Sequence, residues 1–411
     1  MQLDRWMGAL RERNFRFFFI GQTASQIGSG MAPVAVVFAV LAHGTATDVG
    51  YVLTAQTVPL VVLLLVGGVV GDRMSRRKLM LQSDSLRTAA ECALGLWVLM
   101  GRPPLWGFMA LGALMGMGQA FFSPALTGIV PQMLSAEKLQ QGNALNGISS
   151  SSGGIIGPAI AGVIVAVSNP GWAILIDGLT YLVSVVSLAF VRIDWTATPN
   201  ADSFVTLLRS GWREFWSRTW LWAIVVEFSF VNALFASFLV LGPVVAKESL
   251  GGAASWGAIL AAEGAGAVLG GIVMLRLHPR RPLLVATLST LFFPLPLFFI
   301  AGRSPVVVIA ISAFFAGAFV TVFGVQWSTT LQREIPSDVL SRVSAYDWFG
   351  SLALMPIAMA VVGPLSGVIG ITATLVGSGL IMILLILAVL TVPSVVRLRA
   401  PSSAAGPPSD N

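Results

Sequence analysis

A chain of 411 residues with 56% hydrophobic residues, 10% charged residues and a mean hydropathy of +0.85 lies outside the soluble range, where apolar content is about 45–50% and charge about 25%. These values exclude a soluble enzyme or binding module and mark a membrane protein. The net charge of +6 reflects how basic residues are distributed about a membrane, and it calls for no nucleic-acid partner.

Apolar stretches of about 20 residues, the length that crosses a hydrocarbon core of about 30 Å, recur about twelve times. The spans are 15–41, 49–70, 79–100, 105–130, 143–167, 172–191, 220–246, 253–275, 283–301, 305–330, 343–367 and 372–392. Alternating strands of about ten residues are absent, so the expected fold is an all-α integral membrane protein of twelve helices and not a β-barrel. The opening "MQLDRWMGALRERNF" carries acids and arginines and lacks a short apolar core with a small-residue cleavage site, so the first span is expected to act as its own insertion signal. With the N-terminus inside, about twenty of the 24 Lys and Arg fall on cytoplasmic segments, which places both termini in the cytoplasm.

Taken in order, the first span carries Gln22, Ser25, Gln26 and Ser29 at spacings of three and four, a polar stripe that either lines a cavity or bonds neighbouring helices. After the second span comes "GGVVGDRMSRRK" from Gly67, a dense charge cluster at the cytoplasmic end. The third span places Asp84, Arg87 and Glu91 on one face, where Arg87 can pair with either acid, and we read them as a structural ion-pair stripe. Its Cys92 is the single cysteine, which rules out an internal disulfide. The fourth span contributes Gln119. In the fifth, "SSGGIIGPAIAG" sets Gly153, Gly157, Pro158 and Gly162 where close packing and a bend are possible. Asp177 in the sixth span reads as structural.

The polar interruption at 192–219 contains "SFVTLLRSGWREFW". There Phe204, Leu207, Leu208, Trp212, Phe215 and Trp216 recur at helical spacing, opposite Arg209, Arg213 and Glu214, as in an amphipathic helix on the inner membrane surface. The expected organisation is a six-helix bundle at 1–191, this linker at 192–219, a second six-helix bundle at 220–392 and a cytoplasmic tail at 393–411. In the second half, Glu227 lies about 10 Å from the inner end of its span, which carries no basic residue. Asn232, Glu263 in "LAAEGAGAVLGG" and Asp347 in "SAYDWFG" are the other intramembrane polar candidates, and Phe230, Phe235, Phe323 and Trp327 are candidate aromatic walls.

The halves resemble one another. "GGVVGDRMSRRK" returns as "GGIVMLRLHPRR" from Gly270, and "LSAEKLQQGNAL" from Leu134 returns as "IPSDVLSRVSAY" from Ile335. Weak internal symmetry of this kind marks secondary transporters whose site lies between the halves. His43 and His278 are far apart, no P-loop lysine follows a glycine, and no nucleophile, base and orienter cluster together. No metal, no cofactor and no enzymatic activity are expected.

These features resemble the major facilitator superfamily, and within it a bacterial exporter branch similar to siderophore and macrolide efflux permeases. The resemblance rests on the loop residues Gly68, Asp72, Arg73, Arg76 and Arg77, on "RNFRFFFIGQTASQIGSG", on "FFSPALTGIVPQMLSAEKLQQGNALNG" and on the fifth-span pattern, which is similar to an antiporter motif. Ser75 stands where the loop motif has its second glycine, Ala144 and Ala161 replace glycines of the antiporter pattern, and Gly112 stands where proton-linked relatives often carry an arginine. The resemblance implies a central cavity between the first, fourth, seventh and tenth helices and a peripheral third helix. It makes Glu227 the first choice for a proton-carrying acid or cationic-substrate contact, with Glu263, Asp347, Gln22, Gln26, Gln119 and Asn232 as further candidates. It also implies a latch, in which Asp72 sits at the N-terminal end of the eleventh helix and holds the halves together on the inner side. The function implied is proton-coupled export of an amphipathic small molecule across the bacterial inner membrane by a monomer; a metabolite facilitator or importer and a non-transporting receptor or scaffold remain alternatives.

Overall fold

A computed structural model describes residues 8–193, 204–277, 279–336 and 339–399. Side chains at 65–73, 127, 136–137, 140, 204–208, 210 and 341 fall outside that description. The side chains of Gly68, Asp72 and Arg73, those of Phe204, Leu207 and Leu208, all of His278, and the segments 194–203 and 400–411 therefore lie beyond the described residues.

Among the described residues the regular structure is helical. The first half comprises α1 (Arg13–Leu41), α2 (Ala46–Arg73), α3 (Arg76–Met100), α4 (Leu105–Ile129), α5 (Ala136–Val167) and α6 (Pro170–Phe190). A short helix α7 (Phe204–Ser217) precedes the second half: α8 (Thr219–Ser249), α9 (Ala253–Met274), α10 (Pro282–Ser289), α11 (Leu295–Ala301), α12 (Val306–Glu334), α13 (Leu340–Leu352), α14 (Met355–Ile369) and α15 (Ile371–Val389). Among the described residues, eleven helical segments are long and apolar enough to cross a membrane. The 25-residue α3 lies outside that set because it carries Asp84, Arg87 and Glu91, yet at 1.5 Å per residue it is about 37 Å long, enough to span.

Local chemistry sets the helix ends. The Thr45 hydroxyl and backbone N–H both donate to Asp48 Oδ2 at 2.9 and 2.7 Å at the start of α2, and the Gly171 N–H donates to Asn169 Oδ1 at 2.8 Å at the start of α6. Gly251 and Gly252 adopt φ of 91° and 83° in the α8–α9 turn, a left-handed conformation that favours glycine. Two spans read as continuous are broken. The ninth divides into α10 and α11 around Pro294 and Pro296, and the eleventh divides into α13 and α14 just before Pro356, because proline removes a backbone donor and clashes with the preceding turn.

Within the first half, α1 packs on α5 and α6, α2 on α4, and α3 on α4 and α6; within the second, α9 and α10 pack on α12, and α8 on α14 and α15. The halves meet through α5 against α9 and α2 against α14. One apolar core crosses between them at the end remote from the termini, where Val37, Phe38 and Val49 join Phe238, Trp256 and Met359. At the termini-bearing end the cores are separate, one around Phe15, Met80 and Ile129 and the other around Trp220, Trp327 and Val343. Among the described residues the apolar core is thus shared between the halves at one end and divided at the other. Helix α7 docks on the second half, with the Trp212 ring 5.3 Å and the Phe215 ring 6.2 Å from that of Tyr346.

Candidate substrate cavity

A cavity of about 720 Å³ lies between the halves, within the size range of small-molecule sites. The stripe on α1 faces it, with Gln22, Ser25, Gln26 and Ser29 all on the wall, and α4 adds Gln119. Gln56 and Thr57 of α2 continue the polar face, while Leu239, Trp256, Leu260, Val320 and Met359 make an apolar wall opposite, interrupted by Glu263 of α9. The cavity therefore has one amide- and hydroxyl-rich side and one apolar side, bounded above by the shared core.

Arg87 reaches the same wall from α3. A Cβ on Gly118 would come within 2.6 Å of Arg87 Cγ, so the glycine in α4 is what lets this side chain pass. Arg87 Nη1 donates to Asp84 Oδ1 at 3.2 Å, and Nη2 donates to the Tyr181 hydroxyl. Its guanidinium lies 3.9 Å from the Tyr181 ring centroid and 5.3 Å from that of Phe122. Ser184 donates to Asp84 Oδ2 at 2.6 Å, and the Tyr181 and Ser29 hydroxyls are 2.7 Å apart. The Asp84–Arg87 pair of the third-span stripe is present, and α3 packs on first-half helices, yet its Arg87 reaches past α4 to border the cavity. Glu91 makes no ion pair within salt-bridge distance and lies beside Asp177 of α6 instead.

The second-half candidates are placed differently. Glu227 is buried on α8, with 5% of its surface exposed, and its Oε1 has no hydrogen-bond partner; it is absent from the described lining of the cavity. Asn232 and Asp347 border a second cavity of about 390 Å³ contained in the second half. There Asn232 donates to the Ser351 carbonyl at 3.0 Å, and the Trp327 indole donates to Asp347 Oδ2 at 2.9 Å. Of the aromatic candidates, Phe323 and Trp327 line this second cavity, Phe235 stacks on Phe293 at 4.1 Å in the core, and Phe230 is exposed.

The fifth-span motif stitches three helices together. Gly153 and Gly157 press on α1 at Gln26 and Gly30, whereas Pro158 and Gly162 meet α9; a Cβ on Gly162 would lie 2.9 Å from the Ala253 carbonyl oxygen. The motif thus joins the first half to itself on one side and to the second half on the other. Of the loop cluster, Arg76 donates to the Gly128 carbonyl, and Arg77 donates to the Leu188 and Ala189 carbonyls at 2.9 Å each. Both arginines satisfy terminal carbonyls of α4 and α6, where the negative ends of the helices favour a cation. Their hydrogen bonds stay within the first half and do not bridge the two.

Comparison with known proteins gives a consistent picture. A family model described as "Transmembrane secretion effector" matches residues 6–410. The enterobactin exporter EntS of Salmonella choleraesuis is 27% identical over 403 residues, covering 95% of this chain and 96% of the relative. The multidrug efflux pump Tap of Mycolicibacterium fortuitum is 25% identical over 377 residues, covering 87% and 90%. Among solved structures, a peptide transporter POT aligns with TM-score 0.76 at 13% identity, covering 94% and 95%. A bacterial homolog of the human lysosomal transporter Spinster, in an inward-facing and unoccupied conformation, aligns with TM-score 0.69 at 13% identity, covering 94% and 98%. At such identities these structures speak to the fold alone.

Proposed function

The chain belongs to the transmembrane secretion effector family, an exporter branch of the major facilitator superfamily, and from that premise we propose that it is a secondary active exporter of an amphipathic small molecule, driven by proton antiport. The observation that carries the reading is the cavity between the halves, with a polar face from α1, α2 and α4 and an apolar face from α8, α9, α12 and α14. Such a site accepts a molecule with one hydrogen-bonding side and one apolar side, which is compatible with the siderophore and drug exporters among the relatives.

The remaining assignments belong to the same proposal. The basic-residue bias puts both termini in the cytoplasm of a bacterial cell, with the chain in the inner membrane. The end with the shared core is then the sealed, external one and the divided end faces inward, so the cavity is poised to load substrate from the cytoplasm. The two bundles, 1–191 and 220–392, rock about this cavity as a monomer, with the 192–219 linker and the 393–411 tail on the inner side. In the opposite state Asp72 would close the inner side against the second half.

The test is flux in energised inverted vesicles with a panel of dyes, siderophores and antibiotics. Export predicts gradient-dependent accumulation inside the vesicles that an uncoupler abolishes. Accumulation that survives collapse of both the pH gradient and the membrane potential would remove proton coupling from the reading.

A further inference from the structure

Behind the wall formed by Arg87 and Tyr181, the helices α1, α3 and α6 enclose three acids. Asp84 and Asp177 are fully buried, and Glu91 is 3% exposed. Asp84 is provided for by Arg87 and Ser184. Asp177 Oδ1 accepts a hydrogen bond from the Thr180 hydroxyl at 3.5 Å, but among the described residues Asp177 Oδ2 and Glu91 Oε2 have no hydrogen-bond donor, and Arg87 Nε is likewise without a partner.

Packing holds Glu91 and Asp177 together. A Cβ on Gly178, the residue after Asp177, would lie 3.1 Å from Glu91 Cβ, and a Cβ on Gly28 of α1 would lie 2.6 Å from Asp177 Oδ1. Only glycine at these points lets α1 and α3 close over the pair. The Asp177 charge bears on Glu91, and Arg87 is the cation that faces both acids. If all three acids were ionised, one guanidinium would face three negative charges in an apolar interior, an arrangement that adjacent carboxylates avoid by sharing a proton.

We infer that Glu91 and Asp177 form a proton-binding site, a carboxylate pair that takes up and releases one proton during transport and communicates with the cavity through Arg87. A metal is the poorer occupant, because no three His, Cys, Asp or Glu groups among the described residues converge as a metal site requires. Release breaks the O–H bond of the shared acid, leaves the electron pair on the carboxylate and passes the proton to solvent in the cavity. The pair then carries one more negative charge beside Arg87, drawing the guanidinium away from the cavity wall; uptake reverses this. The titratable groups around the pair are Asp84, Arg87 and Cys92 on α3 and Tyr181 on α6, with Glu263 across the cavity; Ser29 from α1, Thr180 and Ser184 from α6 and Phe122 from α4 are the uncharged neighbours.

This inference rests on the proton-antiport reading, and its test is chosen so that the two fail separately. The full chain is reconstituted in phosphatidylethanolamine and phosphatidylglycerol vesicles, and infrared difference spectra are recorded between neutral and alkaline pH, with no transported substrate present. The wild type should show a protonated-carboxyl C=O band that is lost on alkalinisation. Glu91→Gln and Asp177→Asn should each lower its amplitude, and Glu12→Gln, at a partly exposed ion pair with Lys138, should leave it in place. Glu91→Asp and Asp177→Glu keep a buried acid at each position and should shift the band instead of deleting it, which separates loss of the site from loss of the fold. A wild type without the band, or a band of unchanged amplitude in both Glu91→Gln and Asp177→Asn, overturns the site. Uncoupler-insensitive flux would overturn the antiport reading and leave the band untouched.

Discussion

Lys247, near the end of α8, donates a hydrogen bond to the main-chain carbonyl of Leu41 at the end of α1, tying the second half to the first at the sealed end. The carbonyl is one of the terminal acceptors a helix cannot satisfy internally, and a cation there also meets the negative end of the helix. A charge-assisted bond of this kind contributes about 1.5–3 kcal/mol when formed. Replacing Lys247 with Met keeps the apolar stem and removes the donor. The equilibrium between the sealed and opened outer ends should then move by roughly tenfold or more toward opening. Electron-spin distance measurements between labels at Thr45 and Leu250, which sit on opposite halves at that end, should show a larger long-distance population in the variant.

The contact between α5 and α9 should be less forgiving. Gly257 lies against the Pro158 carbonyl and the Gly162 Cα, and a Cβ on Gly264 would stand 2.6 Å from the Gly154 carbonyl oxygen. Backbone atoms cannot yield as a flexible side chain can, so Gly257→Leu should wedge the halves apart at the sealed end while sparing the packing within each half. The expected result is a folded, membrane-inserted protein with transport reduced at least tenfold and the outer end held open. Normal flux in this variant would mean that α5 and α9 need not close for turnover.

Asp84→Ala should act on stability. Asp84 is fully buried and is the acid paired with Arg87. Removing it leaves a buried guanidinium with only the Tyr181 hydroxyl and ring contacts, and breaking a buried pair on one side costs about 3–5 kcal/mol. Thermal unfolding in detergent should show a clear fall in midpoint. Asp84→Asn, whose amide oxygen still accepts from Arg87 while its amide nitrogen donates to the Ser184 hydroxyl, should recover part of it.

The architecture was legible because its signals are long and repeated: apolar runs fix the spans, Lys and Arg suggest the topology, and the returning loop motif suggests two related halves. The polar face of α1 was legible for the same reason, since Gln22, Ser25, Gln26 and Ser29 mark one stripe. Arg87 was not, because whether a side chain on α3 reaches the cavity depends on Gly118 of another helix leaving room, and spacing within one helix carries no such information. The partnership of Glu91 with Asp177 was hidden similarly, by an approach of helices about ninety residues apart in the chain. The breaks before α11 and α14 were signalled by Pro294, Pro296 and Pro356, yet hydropathy averages across such breaks.

The two second-half glutamates should separate in function. Sequence position favours Glu227, which lies alone in an apolar helix, but the cavity is bordered by Glu263 and not by Glu227. A carboxylate on an otherwise apolar wall contributes most when it meets a positively charged group, where a charge-assisted hydrogen bond contributes about 1.5–3 kcal/mol. Glu263→Gln should therefore weaken transport of cationic compounds by roughly 10- to 100-fold while changing neutral compounds of similar size much less. Glu227→Gln has no cavity contact to lose and should transport both classes within a few-fold of wild type. Side-by-side flux of a cationic dye and a neutral antibiotic through both variants decides the matter. If Glu227→Gln proves the defective variant for either class, Glu227 must reach the substrate pathway in a state other than the one sealed at Leu41 and Lys247.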